Sequence, residues 1–296
     1  MRCFHPLKGF QREDGGSLVF HSKHLYTKQV EVRCGQCIGC RINRSQVWAL
    51  RIMHETKMHE RSCFVTLTYD DKNVPHDYGL HYEDFQKFMK RLRKEQKARF
   101  FMCGEYGEQY KRPHFHACLF GVGFDDRVLH GRSGSGAELF TSKRLERLWP
   151  FGFASVGELT LQSAQYVAGY VTKKVTGERS EYAYERVDDQ TGEAFYVEHE
   201  FCHMSLKPGI GESWFQNYAP SVAAHGAVVV AGGERFSVPR YYMDKLEKRG
   251  DYFRLLTDFA NAERHVDFSA DSTVERLAVQ EQVALARHNL KKRYVE

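Results

Sequence analysis

The chain has 296 residues, 42% of them hydrophobic and 27% charged, enough apolar material for one large domain or two modest ones. No low-complexity tract or internal repeat interrupts it, which excludes a disordered or solenoid protein. The net charge of +5 is unevenly spread: residues 1–180 carry 29 Lys/Arg against 19 Asp/Glu, and residues 181–296 carry 14 against 19. A basic, aromatic-rich first part suits a polyanion with stackable bases.

The segment Met1 to Phe10 is broken by Arg2, His5, Pro6 and Lys8 and does not read as a signal peptide. The longest aliphatic stretch, Ala227 to Ala231, is far too short to span a bilayer. A soluble, intracellular protein without a membrane partner is expected.

In chain order, residues 1–33 read as irregular or short strands around Pro6 and the Gly15-Gly16 turn. Ile42 to Glu60 is expected to be a helix, and Phe64 to Tyr69, alternating and β-branched, a strand. Asp84 to Lys97 has Phe85, Phe88, Met89 and Leu92 at helical spacing. Phe100 to Gly104 and His114 to Phe120 form a hairpin around a turn at Glu105 to Arg112. Gly131 to Gly136 reads as a flexible loop, Leu139 to Trp149 as a helix, Ala154 to Leu159 as a strand and Ser163 to Lys174 as a helix. Further on, Pro208 to Tyr218, Tyr241 to Arg249 and Thr273 to Lys292 are locally helical, whereas 175–200 is charged and weakly periodic. The order is α+β: an antiparallel sheet covered on one face by helices. Three regions are expected: 1–60, a cysteine knuckle and basic helix; 61–180, the domain carrying the chemistry; and 181–296, a partly helical C-terminal extension.

Tyr166 and Tyr170 lie four apart, so on a helix their phenols project together, roughly 6 Å from each other. Alone, that spacing fits ordinary core packing. Fifty residues upstream, His114 and His116 lie two apart on a strand, which presents two imidazoles on one face with Phe115 turned to the other. Two imidazoles and one carboxylate make an open divalent-metal site, with Glu105 the better-placed carboxylate and Glu108 the alternative. Without a ligand they are two half-exposed strand histidines.

Eight cysteines include Cys34, Cys37 and Cys40 in one cluster and Cys3 near the start, the pattern of a metal site in a reducing compartment. Glycines at 35 and 39 allow a thiolate knuckle, and the four sulfurs would close a tetrahedral structural Zn²⁺ site. His5 is an alternative to Cys3, and an iron–sulfur cluster or unligated thiols are alternatives to zinc. Arg41, Arg44 and Arg51, then Lys87, Lys90, Arg91, Arg93, Lys94 and Lys97, form two basic helical segments, either phosphate contacts or solvated faces.

A His-hydrophobic-His strand followed by Tyr166-x-x-x-Tyr170-x-x-Lys173 resembles the HUH endonucleases, which nick single-stranded DNA and begin rolling-circle replication. Phe64 to Asp70 resembles their first motif. Cys34-Gly-Gln-Cys37-Ile-Gly-Cys40-Arg41, Gly-Glu-Tyr-Gly at 104–107 and Arg-Pro-His-Phe-His at 112–116 are similar to the replication initiators of gokushoviruses (Microviridae). The resemblance implies an RNA-recognition-motif-like sheet with helices on its faces. It implies Mg²⁺ or Mn²⁺ at His114, His116 and Glu105, nucleophiles at Tyr166 and Tyr170, and Lys173, with Lys174 as fallback, steadying the phosphate or phenolate. It further implies the origin of a circular phage genome as substrate, in the cytoplasm of a bacterial host, alongside a host helicase and polymerase. The other readings are a relaxase or single-strand transposase of the same superfamily, and a non-catalytic zinc-containing DNA-binding protein.

Overall fold

The strand Ser62–Tyr69 alternates half-exposed and buried residues along its whole length, with Cys63, Val65, Leu67 and Tyr69 on the buried side. A period of two is what a pleated strand with unlike faces requires. In the computed structural model it lies inside a seven-stranded antiparallel sheet. The structure describes residues 3–12, 18–20, 27–107, 111–134, 136–170, 184–187, 191–230, 233, 235–250 and 271–292. The chain divides into two units, one of residues 1–44 with 266–296 and one of residues 45–265.

The described elements begin with β1 (Leu7–Arg12), β2 (Thr27–Val32), α1 (Ile38–Thr56), β3 (Ser62–Tyr69) and α2 (Tyr82–Glu95). There follow β4 (Arg99–Tyr106), β5 (Pro113–Phe120), β6 (Val128–Arg132), β7 (Glu138–Thr141), α3 (Lys143–Leu148), β8 (Gly152–Glu158) and α4 (Leu161–Tyr170). Beyond these come β9 (Glu185–Val187), β10 (Ala194–Tyr196), β11 (Phe201–Met204) and α5 (Glu212–His225). The last are β12 (Ala227–Val229), β13 (Arg235–Ser237), α6 (Arg240–Glu247) and α7 (Val274–Lys292). The sheet order is β11-β4-β5-β3-β8-β7-β6.

Helices cover both faces of this sheet, not the one expected from element order. On one face, Phe85, Phe88, Met89 and Leu92 of α2 pack with Leu145, Leu148 and Trp149 against Val65, Leu67, Met102, Phe115, Ala117 and Leu119. Each such fully buried large side chain contributes about 1.5–3 kcal/mol through removal from water. On the other face, Ala164, Val167 and Ala168 of α4, with Ala49 and Ile52 of α1, pack on Phe101, Cys103, Cys118 and Phe120. α5 and α6 form a further apolar cluster with Leu50 of α1, through Trp214, Phe215, Val222, Tyr242 and Leu246. Arg51 is buried there with its Nε 3.0 Å from the Ile210 carbonyl and its guanidinium between Trp48 and Tyr241, so it is not a phosphate contact.

Two sequence expectations change. Leu139 to Trp149 is not one helix: Glu138–Thr141 is a strand, and α3 starts only after Ser142, whose Oγ accepts from the Leu145 amide at 3.1 Å. That cap ends the strand and starts the helix. Gly131 to Gly136 belongs to the hairpin joining β6 and β7, closed by Ser133 N–H donating to the Ala137 carbonyl at 2.8 Å, and not to a free loop. The start of α4 at Leu161 follows from reciprocal bonds, Thr160 N–H to Ser163 Oγ at 2.8 Å and Ser163 N–H to Thr160 Oγ1 at 3.2 Å. Lys173 and Lys174, the expected end of that helix, lie outside the described residues.

In the first unit, β1 and β2 form an antiparallel hairpin, and Cys3, Phe4, Cys37, Cys40, Leu277 and Ala284 share an apolar cluster. No described helix is long and apolar enough to cross a membrane.

His54 of α1 stacks on Trp214 at 3.5 Å, and its Nδ1 lies 2.9 Å from the Tyr242 hydroxyl. Burial, with Lys57 and Arg51 nearby, lowers its pKa from 6.5 to about 3. The unfolded chain therefore binds a proton near pH 6.5 that the folded chain refuses until near pH 3. Stability from this site is full above pH 7 and falls as pH drops through that window, by on the order of 5 kcal/mol at most. Thermal unfolding from pH 7.5 to 5 should show a steeper acid-side fall for the native chain than for His54→Gln; equal slopes would place the acid sensitivity elsewhere.

Candidate metal centre and paired phenols

β4 and β5 pair with Glu105 opposite His114 and Cys103 opposite His116. Directly opposed residues of antiparallel strands share a face, so one carboxylate and two imidazoles project together while Phe115 turns into the core beneath α2. Glu105 Oε1 lies 2.8 Å from His114 Nε2 and 2.7 Å from His116 Nε2. The outer ring nitrogens are engaged too: His114 Nδ1 is 3.1 Å from the Arg112 carbonyl, and His116 Nδ1 is 2.9 Å from Thr66 Oγ1.

This donor set fits a cation. A neutral imidazole has one N–H, and in His114 the Arg112 carbonyl calls for it at Nδ1, which aims the Nε2 lone pair at a carboxylate oxygen. Two lone pairs hold such an approach only with a proton or a metal ion between them. All three donor atoms lie within 4.8 Å of one another, and two nitrogens with one oxygen suit a divalent ion while leaving coordination positions open. Burial works against charge on Glu105, but the imidazoles of His114 and His116 outweigh it and hold the carboxyl well below the usual range.

α4 brings its phenols to this group. The Tyr166 hydroxyl donates to Glu105 Oε1 at 3.0 Å, and its ring stands edge-on to His116 at 5.1 Å. One helical turn on, the Tyr170 ring lies 5.1 Å from that of Tyr166 and 6.2 Å from that of His116. Burial, and after it the Glu105 charge, raises both phenols above the ordinary tyrosine value, so both are neutral at rest. Glu105, His114, His116, Tyr166 and Tyr170 are thus in one place; Glu108, Lys173 and Lys174 lie outside the described residues.

Sequence reading misses two neighbours of the site. Thr66 supplies the oxygen facing His116 Nδ1, and the Phe64 ring stacks on His116 at 5.5 Å. Both lie on the face of β3 opposite to Val65 and Leu67, so the alternation of that strand carries the signal once β3 is known to pair with β5.

In the first unit, Cys3, Cys34, Cys37 and Cys40 bring their sulfurs within 4.8 Å of one another. Cys3 Sγ is 3.6 Å from Cys34 Sγ and 4.0 Å from Cys37 Sγ. Four thiolates at about 2.3 Å from a tetrahedral centre stand roughly 3.8 Å apart, which matches. Backbone amides point at the sulfurs: Phe4 N–H to Cys37 Sγ, Cys34 N–H to Cys3 Sγ and Cys37 N–H to Cys34 Sγ, each 3.3 Å. Burial opposes ionisation, yet the amides of Phe4 and Cys40 help bring the Cys37 thiol down to about 6. Gly35, with φ of +76°, makes the left-handed turn between the first two ligands. His5 is not part of the group; its Nε2 lies 2.6 Å from Glu281 Oε2.

The second unit is therefore an antiparallel sheet that carries a carboxylate and two imidazoles beneath a helix with two phenols. The family model for replication-associated proteins of the ORF2 type matches residues 62–175, the span from β3 through α4. The chain is 32% identical over 262 residues to replication-associated protein VP4 of Bdellovibrio phage phiMH2K, covering 84% of this chain and 78% of that one. It is 30% identical over 275 residues to replication-associated protein ORF2 of Spiroplasma virus 4, covering 84% and 81%. A third relative, replication-associated protein ORF4 of Chlamydia phage 1, is 29% identical over 230 residues, covering 73% and 53%. The chain belongs to the replication-associated proteins of Microviridae phages. No solved structure matches it significantly.

Thr66→Val keeps the shape of the side chain and removes the oxygen facing His116. Titration with Mn²⁺ should then show about tenfold weaker binding or worse, the usual cost of losing an outer partner of a ligating histidine. Unchanged affinity would mean that Thr66 does not set the orientation of His116.

Proposed function

We propose that this protein initiates rolling-circle replication by nicking one strand at the origin of a circular phage genome and later rejoining it. The observation that carries the reading is the Tyr166 hydroxyl 3.0 Å from a carboxylate oxygen on which two imidazole Nε2 atoms also converge. Membership of a phage replication family supports the biological role, and the basic first part of the chain supports a nucleic-acid substrate.

A divalent ion held by Glu105, His114 and His116, Mg²⁺ or Mn²⁺, would withdraw charge from a phosphodiester oxygen and orient the group for in-line attack. The Tyr166 oxygen bonds to phosphorus as the bond to the 3′ oxygen breaks, giving a 5′-phosphotyrosine and a free 3′-OH. The phenol proton has an acceptor already aligned in Glu105 Oε1, and the departing oxygen takes up a proton to become the hydroxyl that primes synthesis. The ester conserves the bond energy, so rejoining needs no nucleotide cofactor.

Tyr170 is the second nucleophile. After one circuit it attacks the regenerated site, and the newly released 3′-OH attacks the first phosphotyrosine, closing a circle. Lys173, with Lys174 as fallback, steadies the phosphate or the developing phenolate. The four cysteines hold structural Zn²⁺. The protein works in the cytoplasm of the bacterial host, where a host helicase and polymerase extend the 3′ end.

Origin-containing single strands incubated with the protein and Mn²⁺ should yield a covalent adduct on a denaturing gel. Tyr166→Phe should cut the first adduct by at least about a hundredfold, Tyr170→Phe should nick but fail to release circles, and the double variant should form no adduct. An adduct from the double variant sinks the nucleophile assignment; none from the native chain favours a non-catalytic DNA-binding protein. Metal analysis after dialysis should find one retained zinc per chain, lost in Cys37→Ser; no retained zinc overturns that assignment.

A further inference from the structure

Residues that pair directly across adjacent strands form rows running across a sheet. Glu105 is opposite His114, His114 opposite Thr68, and Thr68 opposite Phe153. These four make one row on one face, because Ala154 and Val156, which alternate with Phe153 and Ser155 along β8, are buried on the opposite face beneath α2 and α3. The next row runs Cys103, His116, Thr66, Ser155, and the one after it Phe101, Cys118, Phe64, Gly157. The metal centre and its nearest phenol therefore mark a border. On the β4–β5 side the face lies under α1 and α4; on the β3–β8 side, Phe153 stands open to solvent.

Phe153 is 74% exposed, the most exposed aromatic side chain among the described residues. A phenylalanine in that position gains nothing from the core and leaves apolar surface in water. Its surroundings on this half-face are uncharged, with Thr66, Thr68, Ser155 and Gly157 from β3 and β8. Such a surface offers nothing to a phosphate, but a ring beside small polar groups accepts the flat face of an unpaired base, with edges left to hydroxyl groups. Two strand spacings place the Phe153 backbone roughly 10 Å from that of His114. That distance suits a base on the nucleotide whose phosphate faces the triad, or on its neighbour.

We infer that Phe153 is the stacking platform for one unpaired base of the substrate strand, and that the open β3–β8 half-face is the track along which that strand leaves the metal centre. This rests on the nicking function proposed above, and it deepens it by naming where a base is held. The platform positions the strand. Phe153 touches neither the phosphate nor the nucleophile, so its contribution is to binding and register.

The test uses the intact chain, fluorescein-labelled single strands of twenty thymidylates, and strands of equal length made of abasic deoxyribose phosphate. Phe153→Ala should bind the thymidylate strand about five- to a hundredfold more weakly than the native chain, the usual loss for one stacked base. It should bind the abasic strand as tightly as the native chain does, a separation that a merely structural role would not give. Phe153→Trp should restore thymidylate binding, and both variants should keep the native unfolding temperature, since the side chain packs on no core. Equal weakening on both strands, or no weakening on either, overturns the platform. A native chain that binds neither strand brings down the nicking function itself, whereas a native chain that binds both and forms its adduct while Phe153→Ala behaves as native brings down the platform alone.

Discussion

Everything at the candidate site depends on the register between β4 and β5. With Glu105 opposite His114 and Cys103 opposite His116, one carboxylate and two imidazoles fall on a single face. A slip of one residue would send Glu105 to the α2 side and put Gly104 or Tyr106 in its place, because the side-chain period of a strand is two. The register is guarded by the apolar residues between the functional ones. Phe115, Ala117 and Leu119 are fully buried under α2, and Cys118 and Phe120 under α4, so neither face of β5 tolerates inversion.

The carboxylate shows what that guard must hold in place. Glu105 is 3% exposed, and an ionised carboxylate removed from water is unfavourable unless donors or cations surround it. Two imidazoles and the Tyr166 hydroxyl all meet at its Oε1. Removing any one of them leaves a buried charge short of a partner, so the same contacts that equip the site for chemistry also make it fold only one way. Catalytic competence and local stability draw on the same four side chains here.

Local periodicity makes much of this readable in the sequence. His114 and His116 need only a strand, Tyr166 and Tyr170 only a helix, and Phe85 to Leu92 a strongly patterned one; each lies within a single element. What is not readable depends on which elements meet. β7 reads as the start of a helix because its partner, β8, lies well downstream. β11 has no signal of its own, since its four residues become a strand only by pairing with β4, nearly a hundred positions earlier. Thr66 and Phe153 escape for the same reason. A threonine in an alternating strand gains meaning only beside His116, and a phenylalanine in a β-rich segment only when the row through Thr68 connects it to His114.

Two phenols one helical turn apart face a geometric limit that the fold handles through burial. Both cannot stand equally close to one carboxylate oxygen, and here Tyr166 holds that contact while Tyr170 lies behind it, nearly enclosed. Burial and the Glu105 charge keep both phenols neutral, which guards against premature attack on any passing phosphodiester. On the proposed chemistry, reactivity then waits on a cation to offset that charge and a strand to displace water. The asymmetry of the pair sets an order, with Tyr166 placed to act first and Tyr170 gaining access once the first phenol is esterified and its hydrogen bond to Glu105 is gone.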